Sequence, residues 1–460
     1  MVKVEEDGIY TLMTHTRLLS ALFILAGVCV CAAQAPSTGS TRQKHRTEVQ
    51  TTSVSPAVAE AETALQKQHY ESAEPLLLKA VADNPHDYRA WFDLGFLYRA
   101  TKRPTDAISA YRKSVVIKPE VFECNLNLGL LLASSGEKEE AVKYLRAATQ
   151  LKPESNAAEN LARAWLSLGQ ALDQQKDYGE ALEAFHRAEK LSPKDTEPYL
   201  STGRLLETHS KFSEAEAEYE SALAIDPRSK DALAGLVNTY TRENRMELAE
   251  STLRDYLKLD PDNSAAKLQM GRLLLKTGKP EEALVQFEDG LRHNPKDFDL
   301  QRETAALYAS AKKYKDAATR YAQLVELRPN DAELRFQFGV VLMQSRAFRP
   351  AEEQLIEAIK LNPKFTEAYG NLAVAASENK DYALAIRALH ARSRLAPEAA
   401  STYFLRATAY DNLKSFKEAA QNYQQFLAVA NGRFPDQEWQ ARHRLIAIDK
   451  HGEKNGEKNK

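Results

Sequence analysis

The stretch that decides the fold is 88–121, YRAWFDLGFLYRATKRPTDAISAYRKSVVIKPEV. Four of its residues follow one another at i, i+3, i+4 and i+7, which is the spacing along one face of an α-helix: Trp91, Leu94, Gly95 and Tyr98. A second helical face follows in Ala107, Tyr111 and Ser114. Pro119 ends it, because proline lacks an amide hydrogen and disfavours helix in the residue before it. The stretch therefore predicts a hairpin of two helices, helix A and then helix B.

The hairpin repeats along the chain with a period of 34 residues, broken once by six extra residues. The clearest marker is an alanine at the twentieth position of every unit: Ala73, Ala107, Ala141, Ala181, Ala215, Ala249, Ala283, Ala317, Ala351, Ala385 and Ala419. The eleven units and the extra residues span 54–433. Such a period is the signature of a stacked repeat architecture.

A second position of each unit is nearly as restricted as the twentieth. The eighth residue is glycine in six units (Gly95, Gly129, Gly169, Gly203, Gly271 and Gly339) and alanine in four (Ala61, Ala305, Ala373 and Ala407), and only Val237 departs. Small residues at both positions predict that the two helices of each hairpin approach closely. A larger side chain there would overpack the contact.

The pattern of Trp91, Leu94, Gly95 and Tyr98 with Ala107, Tyr111 and Pro119 resembles the tetratricopeptide repeat (TPR). The resemblance implies an all-α fold, a right-handed α-solenoid superhelix of about eleven tandem helical hairpins. It also implies a concave groove lined by helix A that binds protein or peptide partners. Some family members hold a carboxylate through a Lys and Asn clamp, but the matching places here hold Phe92 and Phe96 with Asn127, so this clamp is missing.

The repeat register assigns positions 2, 5, 9 and 12 of helix A to the groove. The candidate partner-binding residues are Arg89, Phe92, Phe96, Arg99, Leu126, Leu130, Arg204, Asn238, Arg272, Phe336, Val340, Met343, Val374 and Phe404. Four more charged residues share these positions: Glu123, Glu207, Asp231 and Arg302. The alternative is that some of the apolar candidates pack between neighbouring helices as core.

Three local features lie within and after the repeats. The six extra residues, near 156–161, either lengthen a helix A or form a ridge on the solenoid surface. A capping helix is expected over 434–449, with Trp439, Leu445 and Ile446 available to cover the open end. Residues 450–460 are expected to be a disordered polar tail.

The N-terminal region predicts export. Residues 1–33 contain a 14-residue apolar block, too short for a spanning helix, followed by small residues, as in a secretory signal peptide. The acidic start leaves the true initiator open between Met1 and Met13. A lipid anchor at Cys29 or Cys31 ranks second and an uncleaved anchor third. Residues 34–53 are expected to be a flexible linker, and the protein periplasmic or extracellular.

Few features of the sequence indicate a catalytic, metal-binding or cofactor-binding site. The ten histidines show no metalloprotease spacing, and neither a phosphate-binding loop nor a nucleophile elbow occurs. We therefore expect no catalytic residue, metal or cofactor, and a small apolar role for Cys124. The formal charge of -2 argues against nucleic-acid binding.

These features favour a non-enzymatic exported scaffold that binds protein or peptide partners. Any membrane association would come through a partner or an N-terminal anchor. The alternative is a self-associating structural or assembly component of a cell-envelope complex.

Overall fold

The structure is a computed structural model that describes residues 55–458. The predicted signal peptide and linker and the last two residues of the chain lie outside the described residues. Within the described range all regular structure is helical, so the predicted all-α fold is confirmed. None of the described helices has both the length and the apolar character needed to cross a membrane.

Helix–helix contacts divide the described chain into two compact units, residues 55–261 and residues 262–458. The first contains six hairpins: α1 (Pro56–Gln66), α2 (Tyr70–Asp83), α3 (Tyr88–Ala100), α4 (Pro104–Ile117), α5 (Phe122–Ser134), α6 (Lys138–Thr149), α7 (Ala157–Gln174), α8 (Tyr178–Leu191), α9 (Thr196–Thr208), α10 (Phe212–Ile225), α11 (Lys230–Arg242) and α12 (Met246–Leu259). Odd-numbered helices are helix A of each repeat and even-numbered ones helix B.

The second unit contains five hairpins and a terminal helix. Its helices are α13 (Ser264–Lys276), α14 (Pro280–His293), α15 (Phe298–Ser310), α16 (Tyr314–Leu327), α17 (Ala332–Gln344), α18 (Phe348–Leu361), α19 (Thr366–Glu378), α20 (Tyr382–Ser393), α21 (Ala400–Asn412), α22 (Phe416–Ala430) and α23 (Pro435–Lys458). In both units helix A packs on helix B of its own repeat, and helix B packs on helix A of the next.

The restricted positions of the repeat form the centre of every hairpin. All eleven alanines at position 20 are fully buried. A Cβ added at a position-8 glycine would meet the side chain at position 24 of the same repeat; at Gly95 it would stand 2.6 Å from Tyr111 Cδ1, and at Gly169 2.5 Å from Phe185 Cδ1. The close approach predicted from the sequence is therefore present. It involves a large side chain of helix B as well as its backbone.

The turn between helix A and helix B uses a left-handed residue at position 15 in every repeat. Nine of these residues are not glycine: Gln68, Lys102, Lys176, Ser210, Asn244, Lys312, Arg346, Lys380 and Lys414. The next residue's N–H then bonds back to helix A, as Arg103 N does to the Tyr98 carbonyl at 2.7 Å. This bond satisfies one of the carbonyls that a helix end leaves without a partner.

The six extra residues lengthen a helix, one of the two outcomes that the sequence left open. Helix α7 has 18 residues, whereas α3, α5 and α9 have 13 each. Asn156 precedes it in a left-handed conformation, with φ 45°. The addition therefore enlarges helix A of the fourth repeat at its N-terminal end.

The terminal helix differs from the prediction in two ways. It runs to Lys458, so most of the predicted disordered tail is helical; lysine and glutamate, frequent in this segment, are good helix formers. Its buried residues are Glu438, Ala441 and Ile448, whereas Trp439 and Ile446 are 60% and 54% exposed. The assignment of these two side chains to the cap contact was wrong, because the helix is rotated so that the Ala441 face meets α22.

Candidate functional site

The helix A surface is formed by positions 2, 5, 9 and 12 of successive helices A. These helices contact one another within each unit, for example α7 with α9, α9 with α11, and α19 with α21. The predicted site residues divide into three classes. Exposed are Arg99, Arg204, Asn238, Asp231 and Arg302; half-buried are Arg89, Phe92, Phe96, Glu123, Leu130, Glu207, Arg272 and Val340; buried are Leu126, Phe336, Met343, Val374 and Phe404.

The buried candidates are core residues in the structure and present no surface to a partner. Leu126 is 5% exposed, Phe336 2%, Met343 5%, Val374 7% and Phe404 6%. Each belongs to a hydrophobic cluster shared by neighbouring helices. For example, the Phe336 ring lies 4.7 Å from the Phe365 ring, centroid to centroid. The groove assignment of these five residues was wrong, because they pack into the hydrophobic core of the hairpins.

The apolar candidates that stay accessible are concentrated on α3. Phe92 and Phe96 are one turn apart and half-buried. The Phe92 ring packs against Tyr111, 5.6 Å between centroids, and so supports helix B as well. Phe96 has the guanidinium of Arg99 5.7 Å from its ring centroid. The α3 surface therefore joins aromatic rings to a positive charge.

Two arginines of this face influence each other electrostatically. Arg99 on α3 donates from Nη1 to Asn127 Oδ1 on α5 at 3.4 Å. Arg163 on α7 reaches solvent, yet burial, and then the positive charge of Arg99, lowers its pKa. Among residues 55–450, neither guanidinium forms an ion pair with a carboxylate. We name Phe92, Phe96, Arg99, Asn127 and Arg163 the α3–α7 surface.

A carboxylate at position 2 of α5, on this face, is already engaged. Glu123 on α5 accepts the backbone N–H of Glu154 on Oε1 at 3.0 Å. Burial raises its pKa, so the recess favours a neutral carboxyl over a negative one at this point. Among residues 55–450, Glu123 forms no ion pair with Arg99 or Arg163.

Further along the same unit the charges of the helix A surface are paired internally. Arg204 on α9 donates to Glu197 Oε1 at 2.7 Å and to Ser201 Oγ at 3.1 Å. Glu207 accepts a bond from the Tyr219 hydroxyl at 3.1 Å, and burial raises its pKa. These side chains are therefore less available to bind a charged group of a partner than those of the α3–α7 surface.

On the helix A surface of residues 262–458, the charged side chains are also largely paired with one another. Arg272 on α13 donates through Nη2 to Glu303 Oε1 on α15 at 2.9 Å, and Arg302 pairs with Asp299 at 2.9 Å. Of its apolar candidates only Val340 remains half-buried rather than buried. This unit has no counterpart to the α3–α7 surface among its described residues.

Arg163 belongs to this surface but was not among the residues predicted for it. The six extra residues displace the register just before it, and Arg163 stands at position 2 of the fourth repeat once that displacement is applied. The rule that found Arg89 and Glu123 would therefore have found it too. Asn127 lies at position 6, outside the four positions considered.

The helical hairpins and their shared helix A surface define a helical-repeat interaction protein. Family models agree: three models described as tetratricopeptide repeat match residues 58–121, 126–196 and 336–392, residues 208–258 and 249–307, and residues 400–432. The chain belongs to the tetratricopeptide repeat family. No curated protein sequence matches it.

Solved structures with a similar fold include three of different origin. YrrB, described as a TPR protein with an unusual peptide-binding site, is 24% identical, covers 41% of this chain and 96% of its own, with a TM-score of 0.36. PilF of Pseudomonas aeruginosa is 20% identical over 48% of this chain and 96% of its own (TM-score 0.38). The Naa15/Naa10 complex bound to HypK is 13% identical over 85% and 65% (TM-score 0.38).

Proposed function

We propose that the chain is a non-enzymatic scaffold that binds an extended segment of a partner protein on the α3–α7 surface. The segment would carry an apolar side chain for Phe92 and Phe96 and a carboxylate for Arg99 and Arg163. The observation that supports this is the guanidinium of Arg99 beside the half-buried Phe96 ring, together with Arg163, whose pKa the charge of Arg99 lowers, and neither arginine pairs with a carboxylate among residues 55–450. A guanidinium binds a carboxylate through charge-assisted hydrogen bonds, which are stronger than neutral ones.

A peptide display library tests the chemistry of this segment, because it samples acidic and apolar residues in many combinations. The parent should enrich peptides that combine an acidic and an apolar residue. The double variant Arg99→Glu/Arg163→Glu should bind those peptides about tenfold to a hundredfold more weakly, equivalent to about 1.4–2.8 kcal/mol. A charge-matched control on exposed helix B lysines, Lys79→Glu/Lys143→Glu, should bind them like the parent.

A second variant tests the apolar part of the same surface. Phe96→Ser should weaken binding of the selected peptides while helicity stays unchanged, because Phe96 is only half-buried. Phe92 is less suitable, since its ring also packs on Tyr111. Equal binding by the parent, the arginine variant and Phe96→Ser would place the peptide site elsewhere.

We also propose that the protein is exported, to the periplasm or the extracellular space. The support is the signal-peptide pattern of residues 1–33. Fractionation of cells that express the chain with and without residues 1–33 tests it. Export should require these residues, and equal distribution of both proteins would reject the proposal.

A second candidate function is a self-associating structural component. It rests on Trp439 and Ile446, two large apolar side chains that α23 leaves exposed. Light scattering of the purified chain should then show an oligomer that Trp439→Ser/Ile446→Ser converts to a monomer. A monomeric parent would remove this candidate and leave the peptide-binding proposal untouched.

A further inference from the structure

Three side chains with metal-binding atoms converge between the fourth and fifth repeats, away from the helix A surface. His186 and Glu189 are three residues apart on α8, and Glu218 belongs to α10, which is helix B of the next repeat. One ligand atom from each lies within 4.8 Å of the others. All three residues are half-buried, unlike the many acidic side chains that point freely into water on the other helices.

The environment of the two glutamates is short of positive charge. Among residues 55–450 neither forms an ion pair with lysine or arginine; Glu189 accepts the Thr202 hydroxyl on Oε1 at 2.5 Å. Burial raises the pKa of Glu189, and the hydrogen bond from Thr202 opposes this in part. Burial, followed by the charge of Glu189, raises the pKa of Glu218 to about 7.

The carboxylates of Glu189 and Glu218 also change the pKa of a third side chain, that of Tyr199. Burial, and then the charges of Glu189 and Glu218, raises the pKa of Tyr199 on α9. Two acidic groups are thus held close together, partly out of water, where like charges repel strongly. A proton relieves this repulsion, and a bound cation would relieve it more completely.

We propose that His186, Glu189 and Glu218 bind a divalent transition-metal ion, with zinc as the best fit. One imidazole nitrogen and two carboxylate oxygens are donors that zinc accepts, with a fourth position open to water. Calcium and magnesium prefer all-oxygen sites, so the histidine disfavours them. Zinc bonds of about 2.0–2.2 Å set tetrahedral donors roughly 3.4 Å apart. Small rotations of flexible side chains bring atoms within 4.8 Å to that separation.

The ion would add a further link between two repeats that meet through packing and through the Thr202–Glu189 hydrogen bond. His186 and Glu189 belong to one hairpin and Glu218 to the next, and Thr202 on α9 orients Glu189 from between them. A metal held by all three restrains the movement of α8 against α10. Zinc should therefore slow local opening of these two helices without any change at the α3–α7 surface.

The spacing of histidines along the chain gave no indication of this site. The ligands instead combine a His-x-x-Glu pair, one helical turn apart, with a glutamate 29 residues further on in the next repeat. Only the packing of consecutive hairpins brings the third ligand to the first two.

Zinc titration of the full chain tests the proposal. Cys29 and Cys31 are replaced by serine in every protein compared, because thiolates bind zinc themselves. Isothermal titration against a competing chelator should show one zinc per chain for this parent. His186→Ala and Glu218→Gln should each weaken binding by at least about tenfold, since the loss of even a second-shell partner has that effect. His86→Ala, at an exposed turn, is the matched control and should bind like the parent.

Hydrogen exchange provides the second readout. Zinc should slow amide exchange in α8 and α10 of the parent and of His86→Ala, and leave it unchanged in Glu218→Gln. Glu218→Gln keeps the shape of the side chain and removes its charge, so the metal-free variant should have the parent's circular dichroism spectrum. Zinc affinity that is equal in the parent, His186→Ala and Glu218→Gln would overturn the proposal, and so would slowing confined to other helices.

Discussion

The contact between positions 8 and 24 can be tested at Gly271, where it is tightest. A Cβ at Gly271 would lie 2.1 Å from Phe287 Cε1, 2.6 Å from Cδ1 and 2.7 Å from Cζ. Ordinary carbon–carbon contacts are about 3.5–4.0 Å, so the ring would have to move by more than about 1 Å. Phe287 is fully buried and has little room for such a shift. Gly271→Ala should therefore strain the α13–α14 hairpin.

The magnitude follows from two opposed effects. Overpacking a well-filled core costs about 1–3 kcal/mol. Replacing a helical glycine by alanine returns about 1 kcal/mol of helix propensity. We expect a net loss of about 0–2 kcal/mol in the free energy of unfolding of this hairpin. The control is Gly179→Ala on α8, where nothing lies within 4 Å of the added Cβ, and which should gain about 0.5–1 kcal/mol.

The assay is hydrogen exchange of α13 and α14 peptides, supported by urea unfolding. Repeat arrays do not always unfold in one step, so a local free energy is more informative than a single midpoint. Phe287→Leu should relieve the strain of Gly271→Ala. The resulting pairing of alanine with leucine already occurs in Ala373 with Leu389, both fully buried.

The double variant should thus lose less than the two single variants together, by about 1 kcal/mol or more. The reasoning is refuted if Gly271→Ala stabilises the chain as Gly179→Ala does. In that event the Phe287 ring would move aside at little cost, and the helix propensity gained with alanine would outweigh the contact.

Three further predictions concern other parts of the chain. Ala249→Leu should lower stability by about 1–3 kcal/mol in a thermal melt, whereas Ala217→Leu, on the exposed side of α10, should have little effect. Burial would raise the pKa of Glu398, but hydrogen bonds, of which the one from Arg406 is the largest, lower it to about 2. The resulting stabilisation is present above pH 4.5 and is lost as the pH falls towards 2. The parent and Glu398→Gln should therefore differ by about 1–3 kcal/mol in unfolding free energy at pH 7, and this difference should vanish in acid. Burial raises the pKa of the Cys124 thiol to about 12, so mass spectrometry should find Cys124 unmodified by iodoacetamide at pH 8 until the chain is unfolded.

The fold could be predicted because its signal is repeated. A single hairpin such as 88–121 contains few informative residues, but eleven alanines in one register leave little freedom for the assignment. Each alanine fills the same place against helix A, where burial is complete. The physical requirement is local to the hairpin, so the sequence of the hairpin expresses it directly.

The candidate site was only partly predictable, as Phe96 and Phe336 illustrate. Both belong to the positions assigned to the groove, yet Phe96 is half-buried and accessible while Phe336 is 2% exposed. The difference lies in their neighbours: Phe336 meets the ring of Phe365, which follows α18 in the next part of the chain. The residue spacing within helix A does not indicate the size of the residue that a later part of the same repeat places beside it.

Backbone conformation shows the same division. Every repeat has a left-handed residue at position 15, yet only Gly136 and Gly278 signal it by residue type. Lysine, arginine, serine, asparagine and glutamine adopt it elsewhere because the hairpin requires the turn. The packing of helix B against helix A stabilises the turn enough to offset the cost of the left-handed conformation, about 1–2 kcal/mol.

The sequence by itself determined the period, the two helices of each hairpin and the small residues between them, because these depend on contacts within 34 residues. Only the tertiary structure decided which side chains face a partner, which arginines lack a carboxylate and which ligand atoms meet. The charge of Arg99 acts on Arg163, and ligand atoms of His186 and Glu218 lie within 4.8 Å of each other, across repeats whose separation the residue spacing does not encode. These interactions depend on how neighbouring hairpins pack. That packing is determined by the volumes of many side chains together and not by a single periodic pattern.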